Sequence, residues 1–153
     1  MFGLFKKKTD INHDLVDKTA GVLRLQVMLC RFQPEFIAAL EEDVVRGYFM
    51  GFFDCCLQRR GAAIPDDETF ARLVVRGHEK LLATYLNDIP SYTFASLRRQ
   101  DSPDFQRGMQ IGGAECLSVL HAGHQPFAFP QYVHEGRGPL AVESRPIINA
   151  FNE

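Results

Sequence analysis

Apolar residues recur at the spacing of an α-helix through the first 124 residues of the chain. The segment nearest the N-terminus has apolar residues on more than one side, including Leu15, Leu23 and Leu25, and this pattern predicts a well-buried helix. Together the segments predict an all-α fold, a bundle of four or five helices. The predicted helices span approximately residues 12–32, 34–60, 66–86, 91–99 and 102–123.

Residues with capping preferences mark several of the helix ends. Ser102 followed by Pro103 is a strong start signal, because serine caps a helix and proline suits its first turn. Asp66 and Asp67 open another helix and place negative charge at the positive end of its dipole. Gly123 predicts the end of the last long helix.

The pattern changes at Gln125, after which prolines and glycines become frequent. They exclude a long helix, since proline interrupts the hydrogen-bond ladder. Apolar residues such as Phe129 and Val133 are nevertheless too frequent for a solvated tail. We therefore expect an extended C-terminal arm that packs on the helices or on a second subunit. The residues that punctuate it are Pro126, Pro130, Gly136, Gly138, Pro139 and Pro146.

The chain is thus predicted to have three parts, namely a flexible basic N-terminus (1–10), a helical domain (11–124) and the C-terminal arm (125–153). The N-terminal lysines follow the apolar residues, which is the reverse of a secretory signal, so we expect a cytoplasmic protein. The same segment combines apolar residues with lysines, a composition that favours contact with an anionic membrane surface. The residues concerned are Phe2, Leu4, Phe5, Lys6, Lys7 and Lys8.

One short pattern occurs twice, with an offset of 61 residues throughout. Glycines at i and i+4 line one face of a helix and allow another helix to approach closely, although each costs about 1 kcal/mol relative to alanine. The repeat extends over about ten residues in the middle of two predicted helices. It reads Arg46-Gly47-x-x-x-Gly51-x-x-Asp54-Cys55 and then Arg107-Gly108-x-x-x-Gly112-x-x-Glu115-Cys116.

The charged residues of the repeat predict structural ion pairs. If the two helices pack antiparallel, one register pairs Arg46 with Glu115 and Arg107 with Asp54 at the same time. Buried charges require such partners. A competing geometry is a dimer in which two copies of the second helix pair Arg46 with Asp54 reciprocally.

The same four residues also support a different interpretation. Asp54 and Glu115, with Arg46 and Arg107 beside them, are candidates for a ligand-binding or catalytic site in a cavity between helices. His121 and His124 have a spacing that occurs in metal sites, but histidine is also common at helix C-termini, and no metal or cofactor is predicted.

Composition narrows the remaining function classes. The net charge of −2 gives no global indication of nucleic-acid binding. The four cysteines lie in apolar helical patterns without a C-x-x-C pair, which indicates buried free thiols. No nucleophile, phosphate loop or metal motif was found. We therefore expect a non-catalytic helical interaction protein that self-associates as a homodimer.

Overall fold

The computed structural model describes residues 8–59 and 64–141, with side chains from residue 11 onward. These residues form seven α-helices and no strand, which confirms the all-helical prediction. The N-terminal residues with membrane-binding potential, Phe2 to Lys7, lie outside the described residues, as do 142–153. The helices are α1 (Lys8–Cys30), α2 (Phe36–Glu41), α3 (Asp43–Arg59), α4 (Asp67–Leu82), α5 (Ile89–Leu97), α6 (Pro103–Ala122) and α7 (Ala128–Glu135).

Several predicted helix ends occur where the capping residues indicate. The Asp66 side chain accepts a hydrogen bond from the backbone N–H of Thr69 at the start of α4. The Ser102 side chain does the same for Phe105 at the start of α6. Gly123 ends α6 in the left-handed conformation, with a φ of 66°, which glycine adopts without strain.

The second predicted helix is divided in two. The backbone of Glu42 is extended, so α2 ends at Glu41 and α3 begins at Asp43. The break leaves backbone carbonyl oxygens without partners inside the helix, and side chains donate hydrogen bonds to them. The hydroxyl of Tyr92 donates to the oxygen of Leu40, and Nε of Arg46 donates to that of Glu41. The break is therefore stabilised by a residue from a distant helix.

The C-terminal arm is helical in part, which corrects the prediction of an extended segment. Pro130 is the third residue of α7. Backbone N–H groups in the first turn of a helix have no acceptor inside the helix, so a proline there removes no hydrogen bond. Phe129 is buried, and its ring packs against those of Phe36 and Phe49. Gly136 then ends α7 with a positive φ of 60°. Residues 125–141 thus pack on the helical domain.

Helix α3 is the centre of the fold and contacts α1, α2, α4, α5 and α6. Its residues from Val44 to Phe53 are all buried. Such a continuous buried run is typical of a helix surrounded by others on every side. In the described part of the chain, no helix has the length and apolar character required to span a membrane.

Helices α3 and α6 pack in close contact through the glycines of the repeat. A Cβ atom added to Gly47 would overlap the carbonyl oxygen of Phe105, and one added to Gly51 would overlap that of Met109. Because both contacts advance along the chain in the same direction, the two helices are parallel. The antiparallel arrangement expected from the sequence is wrong.

The two copies of the repeat make equivalent contacts, so the helix pair has approximate twofold symmetry. Gly108 meets the carbonyl oxygen of Val44, and Gly112 meets that of Tyr48. Each of these contacts is the counterpart, 61 residues along, of a contact made by Gly47 or Gly51. Residues related by the offset therefore lie at the same height on opposite sides of the pair.

Candidate functional site

Arg46 is buried, and its guanidinium group is fully engaged within the chain. Nη1 donates to the carbonyl oxygen of Tyr92 at 3.0 Å and to Oγ of Ser96 at 2.9 Å. Nη2 forms an ion pair with the carboxylate of Glu41, and the guanidinium carbon lies 4.3 Å from the centre of the Tyr92 ring. Arg46 thus joins α2, α3 and α5, and it has no contact with Glu115 or with Asp54.

Arg107 holds the chain that follows α7. Its Nη1 atom donates to the carbonyl oxygens of Pro139, Leu140 and Ala141, at 3.3, 2.9 and 2.6 Å respectively. Nη2 lies 3.7 Å from the carboxylate of Asp104 in the preceding turn. The partners of Arg107 are therefore backbone carbonyls of the arm, and the predicted pair with Asp54 does not form.

Asp54 has a local partner on the surface of α3. Its carboxylate accepts a hydrogen bond of 2.8 Å from the side-chain amide of Gln58, one turn later in the same helix. Asp54 lines a shallow groove between α3 and α6 together with Gly51, Met109 and Gly113. A surface carboxylate with a local amide partner contributes little to the stability of the fold.

Glu115 is the centre of a polar network that connects four helices. Its carboxylate accepts hydrogen bonds from the hydroxyl of Tyr48 and from the backbone N–H groups of Phe127 and Ala128, the latter two at 3.1 Å. These N–H groups form the beginning of α7, where a negative charge is favourable. The Glu115 carboxylate therefore takes the place of an N-terminal cap for α7.

Gln26 completes this network from α1. Its side-chain amide donates to the Tyr48 hydroxyl at 2.6 Å, and its carbonyl oxygen accepts from the backbone N–H of Phe129 at 3.1 Å. Burial, followed by the charge of Glu115, raises the pKa of Tyr48 well above its ordinary value. The tyrosine thus stays a hydrogen-bond donor over the physiological pH range.

The structure does not bring the four predicted site residues together. The parallel packing of α3 and α6 explains this result, because Asp54 and Glu115 are related by the offset of 61 and lie on opposite sides of the pair. Glu115 lines its own groove, with Ile111, Ser118 and residues after α6. Sequence reasoning missed Gln26 and Tyr48, although a glutamine inside an apolar helical run was an available signal.

His78 is fully buried between aromatic rings. Its Nδ1 atom lies 2.7 Å from the hydroxyl oxygen of Thr93, and its ring packs edge-to-face with Phe53 and Tyr92. Among the described residues, the Nε2 atom has no hydrogen-bond partner. Desolvation, followed by the charge of Arg46, lowers the pKa of His78 to about 3, so the imidazole is neutral.

Helix α1 has an apolar stripe on the surface, contrary to the expectation that this helix is well buried. One side of α1 packs in the core, where Leu23 is fully buried. Leu25 lies about 200° away around the helix and is 45% exposed. We call the exposed set the α1 stripe; it comprises Val22 (36% exposed), Leu25, Met28 (50%), Leu29 (50%) and Phe32 (84%).

A groove runs beside the N-terminal half of α1, between this helix and the end of α6. Its volume is about 440 Å³, and both apolar and polar residues line it. Ile11 and Leu15 form one wall and Val119 and Leu120 the other, while Cys56 contributes to the lining. The groove is a second place where apolar surface of α1 is reachable.

The described residues contain no group of three or more histidine, cysteine or acidic side chains arranged to hold a metal ion. Comparison with known proteins found no matching family model, no matching curated protein and no matching solved structure. The functional interpretation therefore depends on the geometry of the chain itself.

Proposed function

We propose that this chain is a helical interaction protein that forms a homodimer through the α1 stripe. The observation that supports this function best is the exposure of four large apolar side chains on one face of α1 and of Phe32 in the turn that follows. Contiguous exposed apolar surface is characteristic of protein interaction sites. Isolated exposed apolar residues need no such explanation, but these five follow one another along a single stripe.

The face of α1 that carries the stripe, together with the turn after it, has the spacing of a coiled-coil seam. Residues 11, 15, 18, 22, 25, 29 and 32 are separated alternately by four and three positions, and all are apolar except Lys18. This alternation keeps one seam facing a partner helix of the same kind. The spacing therefore favours a helix as the occupant of the stripe.

Gly21 provides a second indication of a partner helix. It lies inside α1 on the exposed side, and a Cβ atom added to it would meet nothing within 4 Å. Glycine in a helix interior costs about 1 kcal/mol relative to alanine, and no contact with the described residues requires it here. A small residue at this position permits a second helix to approach the stripe.

A second copy of the chain fits the stripe better than an unlike partner of opposite charge. A twofold interface places one patch against itself, so its centre must not carry a charge. Val22, Leu25, Met28 and Leu29 satisfy this condition. We favour antiparallel helices, because a parallel pair would place Lys18 against its own copy. In one antiparallel register Val22 faces Leu25, and Lys18 faces Leu29.

The test is the mass of the protein in solution after the stripe has been made polar. We expect the unmodified chain to sediment as a dimer at micromolar concentration and the Leu25→Glu/Leu29→Glu variant to sediment as a monomer. Both leucines are about half exposed, so the variant retains the core face of α1 and a helical circular dichroism spectrum.

Phe94→Glu is the matched control. Phe94 is 47% exposed on α5, outside the stripe, so this variant removes comparable apolar surface and should remain dimeric. If the unmodified chain is a monomer at all accessible concentrations, or if both variants dissociate equally, the stripe is not the dimer interface. Binding of the monomeric chain to anionic vesicles would indicate instead that a lipid surface covers the stripe.

We also propose a cytoplasmic location for the protein. All four cysteines are free, and free thiols are maintained in reducing compartments. The alternative function, a ligand or catalytic site that uses Asp54 and Glu115, gains no support from the geometry, because each carboxylate lines a separate groove.

A further inference from the structure

Cys56 and Cys116 form a close pair of thiols between α3 and α6. Their Sγ atoms are 3.2 Å apart, although the residues are 60 positions apart in the chain. A disulfide requires a sulfur separation of about 2.0 Å, so a movement of roughly 1 Å would bring the two sulfurs to bonding distance. The contacts of Gly51 and Gly112, one turn earlier, hold the two helices at this close approach.

The two sulfurs differ in their access to solvent. Cys116 is fully buried, whereas Cys56 lines the groove between α1 and α6 and is 7% exposed. A small oxidant that enters the groove therefore reaches Cys56 first. Cys30 differs from both, since its thiol donates to the carbonyl oxygen of Gln26 and adjoins no second cysteine sulfur.

We propose that Cys56 and Cys116 are a modification site at which a peroxide produces an intramolecular disulfide between α3 and α6. The Cys56 thiol releases its proton and its sulfur attacks one oxygen of hydrogen peroxide. The O–O bond breaks, the sulfur becomes a sulfenic acid, and the other oxygen leaves as hydroxide, which takes up the proton released by Cys56 to give water. The sulfur of Cys116 then attacks the sulfenic sulfur. The S–S bond forms, the S–O bond breaks, and a second water carries away the proton of Cys116.

The order of events follows from access to solvent, because Cys56 lines the groove and Cys116 is fully buried. The hydrogen bond of Cys116 with Cys56, followed by burial, raises the pKa of Cys116 far above the ordinary value. Cys55, which is more exposed, also contributes to the raised pKa of Cys116, so its role must be separated by experiment.

The expected consequence is a covalent lock on the central helix pair. The bond would close a loop of about 60 residues, and a cross-link of this length restricts the unfolded chain strongly. The oxidised protein should therefore unfold at a higher temperature than the reduced protein, and dithiothreitol should reverse the shift.

The experiment treats the folded chain with hydrogen peroxide, alkylates it with N-ethylmaleimide in denaturant and measures its intact mass. We expect the loss of two hydrogen atoms and two alkylations instead of four, with peptide mapping that links Cys56 to Cys116. The proposal would be overturned if the products gained the mass of oxygen without forming a cross-link. A cross-link between any other pair of cysteines would also overturn it.

Three serine variants make the result specific. Cys55→Ser and Cys30→Ser should give the same loss of two thiols as the unmodified chain. Cys116→Ser should give no product with two hydrogens lost, and circular dichroism before oxidation establishes that it is folded. A Cys55→Ser variant that no longer forms the cross-link would transfer the site to Cys55 and contradict the assignment to Cys56.

Discussion

At the scale of single residues, the repeated carboxylates Asp54 and Glu115 have unlike roles despite their equivalent positions. Asp54 has Gln58 as its partner on the surface, whereas Glu115 holds Tyr48 and the first N–H groups of α7. The difference arises because α7 covers only one side of the helix pair. Equivalent positions in a repeat therefore do not have equivalent chemistry.

This difference predicts the effect of neutralising each carboxylate. We expect Glu115→Gln to lower the free energy of unfolding by about 1–3 kcal/mol, because an amide nitrogen cannot accept the hydrogen bonds that a carboxylate oxygen accepts. Asp54→Asn is the matched control and should change the free energy by less than about 0.5 kcal/mol. Urea denaturation measures both, and equal effects would contradict the assignment of Glu115 to the cap of α7.

His78 predicts a pH dependence with a definite sign. In the unfolded chain the imidazole takes up a proton below a pH of about 6.5, whereas in the folded chain its pKa is about 3. The unfolded state therefore binds more protons between these values, and stability falls as the pH is lowered through that window. The slope due to this residue approaches about 1.4 kcal/mol per pH unit.

The measurement compares the unmodified chain with His78→Leu by urea denaturation between pH 7.5 and 4.5. The variant should lose stability more slowly as the pH falls, whatever its stability at neutral pH. Parallel curves for the two proteins would show that His78 is not a buried neutral imidazole.

At the scale of helices, the sequence predicted the ends better than the interruptions. Ser102 and Gly123 act within one helical turn, so their effect is visible in a short stretch of sequence. The break at Glu42 depends on Tyr92, which contacts α2 only after the chain has folded. Similarly, Pro130 indicated an extended arm, yet its position in the first turn of α7 is compatible with a helix.

The sequence identified the glycines of the repeat as sites of close helix packing. It did not reveal whether the two helices run parallel or antiparallel. Glycines at i and i+4 allow both parallel and antiparallel contact, so the pattern alone does not decide the orientation. The equal offset of the repeated residues does not decide the orientation either, because a repeat has a constant offset whichever way its two helices run. The predicted ion pairs depended on the wrong orientation.

Two adjacent glycines of α6 provide a matched test of the close packing. A methyl group on Gly112 would overlap the backbone of Tyr48, whereas one on Gly113 would lie 3.9 Å from the nearest oxygen, that of Gly51. We expect Gly112→Ala to destabilise the fold by about 1–3 kcal/mol through overpacking against backbone. Gly113→Ala should be neutral or stabilising by up to about 1 kcal/mol.

Chemical denaturation of both variants checks this expectation. The substitutions are identical and lie on neighbouring residues of one helix, so helix propensity affects both equally. If Gly112→Ala is as stable as Gly113→Ala, the helices are not in backbone contact at this point, and the parallel arrangement loses its principal support.

At the scale of the whole molecule, the α1 stripe is an apolar surface that the described residues leave uncovered. The sequence indicated that α1 has apolar residues on more than one side, which predicted burial, and the core covers only the side that includes Leu23. We propose that the second side packs on a second copy of the chain. A single sequence cannot distinguish these two kinds of burial, because both produce the same apolar pattern.

The most direct test of the proposed dimer places a photoreactive benzophenone side chain at position 28, within the stripe. In the antiparallel register Met28 lies beside Gly21 of the second copy. Irradiation should therefore produce a covalent dimer, and mass spectrometry should locate the cross-link in α1 of the second copy. The same side chain at position 94, on α5, should give no dimer. A chain that stays monomeric after irradiation from position 28, or that cross-links to a helix other than α1, would contradict self-association through the α1 stripe.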